Sequence, residues 1–465
     1  MAARMRSEQD SMGTVRVPAK RMWGAQTQRA LDNFKVSGRP MRPRFLYALA
    51  AVKWAAAKAN QELGVLPAKM AVAIRKAADA VIAGEHDIEF PIDVFQTGSG
   101  TSSNMNMNEV LSNLANVGLG GKPGTRSPVH PNDHVNTGQS SNDVIPTSLH
   151  VSVALACEEQ LLPSLDHLAT TLEAKARAFD DVVKVGRTHL QDATPVRMGQ
   201  VFAAYAAQVR GSIARLKMAQ KGLFEVALGG TAVGTGIGRH PKFHKLAVAH
   251  LAKKTGLPLK TAKNSFEQLS GRDAIVFFAG ALGSTSAALT KIGNDVRFLG
   301  SGPRCGLGEL RLPEVQPGSS IMPGKVNPVL AESLLMACQL VQGYVTTANA
   351  AGAAGNFELN VTLPLLADVM LDGIQVLAGA VEGFDNRCIK GVEVDRDRVE
   401  QIVEQSLMLG TALAPHIGYD AAAALAKEAF KTGRTIRELA QEKELLPPAK
   451  LGKVLDLRHM TKPGR

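Results

Sequence analysis

The stretch GSSIMPGKVNPVLAESLLMACQLVQGYVTTANAAG, residues 318–352, joins a loop rich in glycine and proline to a long apolar segment. Gly318 and Gly324 can adopt backbone angles that other residues avoid, whereas Pro323 and Pro328 restrict φ. The first eleven residues are therefore predicted to form a hinged loop that can close. The remainder has the length and composition of a helix buried among other helices.

Long segments rich in Ala, Leu and Val predict the fold. Helices of this length usually pack as a bundle. Aromatic residues make up only 5% of the chain, which favours closely packed helices over sheets. We therefore expect a mainly α protein with a central bundle, in which Pro163 kinks the first segment. The predicted long helical segments are 140–178, 194–226, 266–299 and 327–352.

The domain organisation follows from length and pattern. A chain of 465 residues is too long for one ordinary core, so two or three domains are expected. Residues 1–138 are predicted to form an N-terminal domain, 139–363 the bundle and 364–465 a small helical domain. Outside the bundle, the predicted helical stretches are Phe45–Glu62, Met70–Ala83, Val399–Leu413 and Ala421–Thr432.

The loop at the start of the quoted stretch carries groups suited to acid–base chemistry. Ser319 can abstract or donate a proton, and Lys325 and Asn327 can face an oxygen on which negative charge develops. An ordinary surface turn is the alternative, because Gly, Ser, Pro and Asn all favour turns.

Two further stretches carry polar groups. His189 lies in GRTHLQD, residues 186–192, and can titrate near neutrality, although a lone histidine is often structural. Ser140, Ser141 and Asn142 precede a long helical segment, where they can cap the helix while its free N–H groups face a carboxylate. Simple capping is the alternative. The glycine-rich stretch 229–238 contains no phosphate-binding motif, so nucleotide binding is not expected.

Taken together, these stretches resemble the fumarase/aspartase superfamily of lyases, and within it the class II fumarate hydratases. Gly324 is typical of the fumarase form, and aspartases usually carry Gln where this chain has His189. The resemblance covers nearly the whole chain. Besides residues 318–328, the stretches that carry it are Asp10–Gly13, Trp23–Thr27, Thr97–Asn106, His130–Asn136, Gly186–Asp192, Ser406–Leu409 and His416–Asp420.

The resemblance implies a three-domain fumarase/aspartase-like fold and a hydro-lyase that reversibly hydrates fumarate to (S)-malate in the tricarboxylic acid cycle, without cofactor or metal. An aspartase-like ammonia lyase or another fumarate-releasing lyase is the alternative, disfavoured by Gly324 and His189. A non-catalytic paralogue is least favoured, because the residues of the implied chemistry are all present.

The resemblance also implies residue roles. Ser319 is the general base, His189 with Glu332 activates water, and Lys325 with Asn327 stabilises the carbanion intermediate. For Glu332 the alternative is a first-turn carboxylate favoured by the helix dipole. The implied substrate-binding residues are Ser99, Thr101, Ser140, Ser141, Asn142, Thr188, Ser320, Lys325 and Asn327. A secondary dicarboxylate site is implied at His130, Asn132 and Asp133.

Charge and cysteine usage indicate partners and compartment. The net charge of +11 and pI near 9.5 can attract nucleic acid or a small dicarboxylate; no basic run is interleaved with aromatics, so nucleic acid is not expected. The four cysteines form no CxxC pair and no zinc site, and no apolar stretch follows Met1–Arg6, so a cytoplasmic protein with reduced thiols is expected. Ser333–Phe357 is uncharged but contains Gln and Asn, which disfavours a membrane span. The resemblance implies a homotetramer whose active sites are shared between subunits.

Overall fold

The structure, a computed structural model, describes residues 4–463 and is mainly α-helical, as the sequence predicts. Its α-helices are α1 (Ala25–Asn33), α2 (Pro43–Glu62), α3 (Ala68–Ile82), α4 (Thr101–Gly118), α5 (Ser141–Ala156), α6 (Leu162–Ala178), α7 (Met198–Gln220), α8 (Phe243–Thr255), α9 (Ser265–Ser270), α10 (Asp273–Leu299), α11 (Val329–Gly352), α12 (Leu363–Arg387), α13 (Arg396–Gln405), α14 (Gly410–Ile417), α15 (Tyr419–Thr432), α16 (Ile436–Glu442) and α17 (Pro448–Val454).

The strands form only two-stranded sheets within the described residues. Four pairs are antiparallel, and β5 with β6 is parallel. The strands are β1 (Met5–Asp10) with β2 (Gly13–Pro18), β3 (Val183–Thr188) with β4 (Gln191–Arg197), β5 (Glu225–Val226) with β6 (Lys260–Thr261), β7 (Leu310–Arg311) with β10 (Glu393–Val394), and β8 (Gly355–Asn356) with β9 (Leu359–Asn360).

The chain divides into two compact units, each made of three stretches. The first unit comprises residues 1–163, 214–286 and 339–377, and the second comprises 164–213, 287–338 and 378–465. Several boundaries fall inside long helices. The predicted division by sequence into 1–138, 139–363 and 364–465 stays a prediction.

The predicted segment 140–178 is helical throughout but not regular. It consists of α5, a π-helical turn at Cys157–Leu161 and α6. Pro163 is the second residue of α6, where its missing N–H leaves few hydrogen bonds unmade. The structure therefore shows a π-helical turn directly before Pro163, at the place where the sequence predicts a kink.

Three of the predicted helical segments are wrong in part: 194–226, 266–299 and Val399–Leu413. In the first, the helix ends at Gln220, and a 3₁₀ turn at Lys221–Phe224 leads into β5. Residues 194–197 belong to β4, because Pro195 and the β-branched Thr194 and Val196 suit a strand paired with β3. The segment 266–299 is interrupted at Gly271, between α9 and α10. The segment Val399–Leu413 is interrupted at Ser406, whose hydroxyl accepts a hydrogen bond from the Met408 N–H and caps the next turn.

The core of the first unit forms around α2, which packs against α3, α5 and α8. Pro43 occupies the first turn of α2, where proline is tolerated. Phe45, Leu49 and Val52 are buried, and many alanines let neighbouring helices approach closely. At roughly 25 cal/mol per Å² of apolar surface, each such large side chain contributes about 2 kcal/mol.

Helix α4 fixes the loops of the first unit with buried amides. Asn106 donates to the Glu89 carbonyl at 2.9 Å, and Asn113 donates to the Met22 carbonyl at 2.7 Å. These bonds satisfy backbone groups that water does not reach. The N-terminal end of α4, at Thr101, is thereby held in a fixed position.

The second unit contains the β3–β4 hairpin and a small C-terminal core. Leu409, Leu413, Leu425, Ile436 and Leu439 form the centre of that core. The predicted helix Ala421–Thr432 is confirmed as part of α15. It ends at Gly433, which has φ +71° and caps the helix.

Among residues 4–463, three helices are long and apolar enough to cross a membrane: α10, α11, and α12 with the turn after it. In the apolar window of α11 only 33% of the residues are buried within this single chain. Met336 and Leu340 are 64% and 44% exposed on this helix. Helix α11 therefore exposes apolar side chains in the single chain.

Candidate active site

The loop Gly318–Pro328, called here the lid loop, holds the hydroxyl of Ser319 against backbone donors. The N–H groups of Ile321 and Met322 donate to Ser319 Oγ at 3.2 and 3.0 Å. Two N–H dipoles aimed at one oxygen favour negative charge on that oxygen. The arrangement suits a serine that acts as a base.

The ends of the lid loop are tied together. The Lys325 ammonium donates to Asn327 Oδ1 at 2.7 Å, and Asn327 Nδ2 donates to the Gly318 carbonyl at 2.7 Å. The Gly318 N–H donates to the Lys325 carbonyl at 2.8 Å. A Cβ at position 318 would lie 2.5 Å from the Lys325 carbonyl oxygen, so the closed ring requires glycine there. Lys325 and Asn327 are thus held together, and their predicted action on a developing negative charge stays a prediction.

His189 lies at the tip of the β3–β4 hairpin. Thr188 pairs with Gln191, so His189 and Leu190 are the two turn residues, with φ of +57° and +60°. Such turns usually contain Asn and Gly, because both positions need left-handed backbone. A His–Leu turn costs about 1–3 kcal/mol per strained residue. We call His189 and Leu190 the histidine turn. Its backbone strain and the exposure of His189 are typical of a functional position.

Buried ions fix the hairpin below the histidine turn. Glu309 is fully buried, with Arg187 Nη1 2.6 Å and Lys184 Nζ 3.1 Å from its oxygens. The bond angles at Arg187 and Glu309 do not meet hydrogen-bond geometry, so this is an ion pair held by distance and charge. Burial is the main cause that lowers the pKa of Lys184, and Glu309 opposes it. Removing Glu309 would leave the buried cation of Lys184 and the partly buried cation of Arg187 without their carboxylate.

In the first unit, small hydroxyls meet at two helix N-termini. Ser99 Oγ lies 2.8 Å from Thr101 Oγ1, which donates to Ser141 Oγ at 2.9 Å. Thr101 begins α4 and Ser141 begins α5. Gly100, with φ +72°, makes the bend that joins Ser99 to α4. Helix N-termini with free N–H groups suit a carboxylate ligand.

The start of α5 combines capping with anchoring. Ser140 and Asp143 form a capping box, and Ser140 Oγ accepts from the Asn142 N–H at 3.2 Å. Asn142 Nδ2 donates to the Ala232 carbonyl at 2.8 Å. Capping and ligand binding were alternatives from sequence, and the capping role is confirmed. We call Ser99, Thr101, Ser140, Ser141 and Asn142 the hydroxyl–amide array.

Asp143 supports this array from below. Its Oδ1 accepts from the Ser140 N–H at 3.0 Å, and its Oδ2 accepts from the Gly229 and Thr231 N–H groups, both at 2.9 Å. Burial raises the pKa of Asp143, while these three donors act to lower it. The carboxyl group thus joins the glycine-rich loop at 229–232 to the start of α5.

The turn predicted as a secondary site is a π-helical turn, Pro131–Val135. The N–H groups of Asn132 and Asp133 donate to His130 Nδ1 at 3.3 and 3.2 Å. Burial is the main cause that lowers the pKa of His130, which Asp133 opposes. Asn132 and Asp133 are exposed. The ligand at this turn remains a prediction.

The structure brings some predicted residues together and leaves others apart. The hydroxyl–amide array is assembled in the first unit, and Ser319, Lys325 and Asn327 in the second. Among residues 4–463, the side chains of His189 and Glu332 share no hydrogen bond or ion pair. Glu332 lies in the first turn of α11, where its N–H donates to the Pro328 carbonyl at 3.0 Å. The other two predicted binding residues, Thr188 and Ser320, are exposed.

Sequence reasoning missed a buried polar group beneath the array. Lys53 of α2 is fully buried, and its ammonium donates to Asn136 Oδ1 at 2.9 Å and to Gln139 Oε1 at 3.1 Å. The available signal was a single lysine in the apolar run LAAVKWAAA. Such a lysine is buried only if it is paired, and its partners lie more than eighty residues away.

Among residues 4–463, no group of three or more His, Cys, Asp or Glu side chains is placed to hold a metal ion. The four cysteines are free thiols; three are buried and Cys305 is exposed.

The chain is similar to known proteins over most of its length. Residues 13–343 match a family model described as lyase, and residues 409–462 match one described as fumarase C C-terminus. Fumarate hydratase class II of Methylorubrum extorquens is 54% identical over 94% of this chain and 92% of its own. The protein of the same name from Ralstonia nicotianae is 53% identical over 94% of both chains.

Two solved structures are similar over almost the whole chain. A class II fumarase from Schistosoma mansoni has a TM-score of 0.96 and 41% identity, over 99% of this chain and 100% of its own. A fumarate lyase:delta crystallin from Brucella melitensis, bound to cobalt, has a TM-score of 0.96 and 43% identity with the same coverage. These similarities confirm the predicted fold.

Proposed function

The chain belongs to the class II fumarate hydratase family of lyases, and on that premise we propose how its residues interconvert fumarate and (S)-malate. The proposal rests mainly on the two backbone N–H groups that donate to Ser319 Oγ, at 3.2 and 3.0 Å. These donors stabilise an alkoxide, which makes Ser319 the general base.

In the dehydration direction, Ser319 takes the proton from the carbon next to one carboxylate of malate. The electron pair left behind moves into that carboxylate and gives an aci-carboxylate with a second negative charge. Lys325 and Asn327, held 2.7 Å apart, stabilise this charge. One well-placed donor in such a site contributes about 3–4 kcal/mol.

The hydroxyl then leaves from the neighbouring carbon. His189, with Glu332 as its partner carboxylate, delivers a proton through a water, so that the hydroxyl departs as water and fumarate remains. In the hydration direction the same pair deprotonates the attacking water. The hydroxyl–amide array binds the other carboxylate, and Thr188 and Ser320 complete the contacts.

The lid loop closes over the bound substrate in this proposal. Its tip carries Ile321, which is 83% exposed, and Met322. Apolar side chains at the tip of a polar, glycine-containing loop gain burial on closure. Closure also removes water, which strengthens the contacts of Lys325 with the intermediate.

We propose further that the enzyme is a homotetramer in which neighbouring chains complete each site. The exposed apolar side chains of α10 and α11, among them Phe277 and Met336, support this assembly. The exposed histidine turn is free to meet groups of another chain. The sequence supports a cytoplasmic enzyme of the tricarboxylic acid cycle, and no nucleic acid or membrane partner is proposed.

One assay tests the reaction. Purified enzyme is given malate or aspartate, and the absorbance of fumarate is followed. We expect fumarate from malate only. Fumarate from aspartate alone would instead establish the ammonia-lyase alternative.

A second experiment tests the shared site. Ser319→Ala and His189→Asn, each inactive alone, are unfolded and refolded together. Activity returns if the two groups come from different chains, because some mixed sites then have both. A mixture that stays as inactive as its parents, although light scattering shows tetramers, would assign both groups to one chain.

A further inference from the structure

We propose that Lys53 is a positioning residue of the substrate site: its buried ammonium holds the loop that carries Ser140, Ser141 and Asn142 and supplies the positive charge beneath the bound carboxylate. This inference rests on the proposed function only for the identity of the carboxylate. Lys53 does not touch substrate in this proposal and acts through the loop.

The first step of the argument is the hydrogen-bond network around Lys53. Its ammonium donates to Asn136 Oδ1 and Gln139 Oε1. Asn136 Nδ2 in turn donates to the Gln139 carbonyl at 3.2 Å, and Gln139 Nε2 donates to the Val135 carbonyl at 3.0 Å. The chain from 135 to 139 is therefore folded around this one cation, directly before Ser140.

The same network reaches the other helix of the array. Asn104 and Asn108 of α4 both donate to Asn136 Oδ1, at 3.2 and 3.1 Å. Lys53 and α4 thus share one acceptor. Because Thr101 at the start of α4 donates to Ser141, a shift of Asn136 changes both halves of the hydroxyl–amide array.

The second step is electrostatic. Burial lowers the pKa of Lys53 to about 7, and the field of Asp143 on α5 opposes this shift. Among the charged groups of residues 4–463, Asp143 is the one whose field acts on Lys53. Helix α4 contributes the neutral amides of Asn104 and Asn108, and its buried Glu109 accepts from the N–H groups of Gly24, Gln26 and Thr27 instead. On α3 and α8, Asp79 pairs with Lys254 at 2.7 Å. His150 of α5 is neutral, because burial lowers its pKa to about 3.

The third step is linkage. A dicarboxylate bound at the array favours the protonated form of Lys53, and by reciprocity protonated Lys53 favours the dicarboxylate. The charged form dominates below about pH 7 and is lost as pH rises. The apparent affinity for substrate should therefore fall with rising pH. Turnover at saturation should change less, because bound substrate raises the pKa of Lys53 and because Lys53 acts only through the loop.

The kinetic test compares Lys53→Met with Lys58→Met. Lys58 lies on the same helix, is partly exposed and pairs with Glu62, so the control makes the same chemical change without the network. KM for malate is measured between pH 6.5 and 8.5. A tenfold coupling is the size expected for one charge acting over several ångströms. Across this pH range we therefore expect KM to rise about sixfold more in the wild type and in Lys58→Met than in Lys53→Met. Equal pH profiles in all three proteins would overturn the proposal.

A binding measurement tests the proposal without enzyme activity, first in the wild type and then in the two variants. Succinate, a non-reacting dicarboxylate, is titrated into wild-type enzyme by calorimetry in buffers of different ionisation enthalpy. A tenfold coupling predicts uptake of roughly half a proton per site at pH 7.5. In Lys53→Met this uptake should be lost, and in Lys58→Met it should stay. Succinate binding without proton uptake in the wild type would also overturn the proposal.

These results separate the two proposals. An enzyme that takes up protons with succinate but makes no fumarate from malate would contradict the proposed reaction and support the role of Lys53. An active enzyme without proton uptake would contradict only the role of Lys53.

Discussion

The hydroxyl–amide array and the lid loop are held in place by opposite means. Buried groups hold the array in place. Asp143 accepts hydrogen bonds from three backbone N–H groups, and Lys53 donates to two side-chain amides. The lid loop is mostly exposed, and its own short hydrogen bonds hold it together. In the proposed mechanism, carboxylate binding is therefore supported by the core, whereas proton transfer is carried by an exposed loop.

This contrast predicts that stability and catalysis can be damaged separately. Changes under the array should mainly lower stability and substrate affinity. Changes in the lid loop should stop the chemistry and leave the fold intact, because the loop contributes little to the core.

The largest expected effect is on turnover in Ser319→Ala. Loss of a general base lowers the rate by about 10²–10⁴-fold. We expect a value near the upper end, because the hydroxyl of Ser319 accepts the two backbone N–H bonds that would stabilise an alkoxide. The unfolding temperature should stay within about 1–2 °C of wild type, as is usual for exposed substitutions. Ser7→Ala, an exposed serine of β1, serves as control. Near-normal turnover in Ser319→Ala would assign the base to another residue.

The next largest effect is on stability, in Asp143→Ala. Three buried N–H groups lose their acceptor, and each unsatisfied buried donor costs about 1–3 kcal/mol, so a loss of about 3 kcal/mol or more is expected. Urea unfolding followed by circular dichroism measures it. Asp32→Ala, an exposed carboxylate of α1, should change the free energy by less than about 0.5 kcal/mol. A similarly small change in Asp143→Ala would mean that the array does not rest on this carboxylate.

Lys325→Ala should lower kcat about a hundredfold and KM far less, because the cation acts mainly on the intermediate. Steady-state kinetics with malate, beside Lys431→Ala on the exposed face of α15, measures the two constants. An effect confined to KM would show that Lys325 binds substrate and does little for the intermediate.

The sequence predicts these two regions unequally. The lid loop could be identified because Gly318, Ser319 and Lys325 act within a few residues of one another, and local patterns are visible in one sequence. The groups that support the array could not be identified from the sequence, because Lys53 contacts Asn136 only after folding. The capping box at Ser140 and Asp143 could be predicted in part. Its spacing of three residues is a sequence signal, but the bonds of Asp143 to Gly229 and Thr231 give no such signal.

The histidine turn was missed for a different reason. Hairpins with two-residue turns are recognised by Asn–Gly or similar pairs, and His189–Leu190 gives no such signal. The residues after it were consequently assigned to a helix. The strained turn is a local exception to the usual sequence preference, and such exceptions concentrate at functional positions.

The smallest expected effect tests that strain directly, through Leu190→Asn and Leu190→Val. Asn adopts left-handed backbone readily, whereas a β-branched residue at φ +60° is strongly disfavoured. Leu190 is 80% exposed, so loss of packing contributes little to either change. We expect Leu190→Asn to raise the free energy of unfolding by about 0.5–1 kcal/mol and Leu190→Val to lower it by about as much. Urea midpoints of the two variants measure the difference. If Leu190→Asn is no more stable than Leu190→Val, the turn is not strained, and the position of His189 is set by the ion pairs of Glu309 alone.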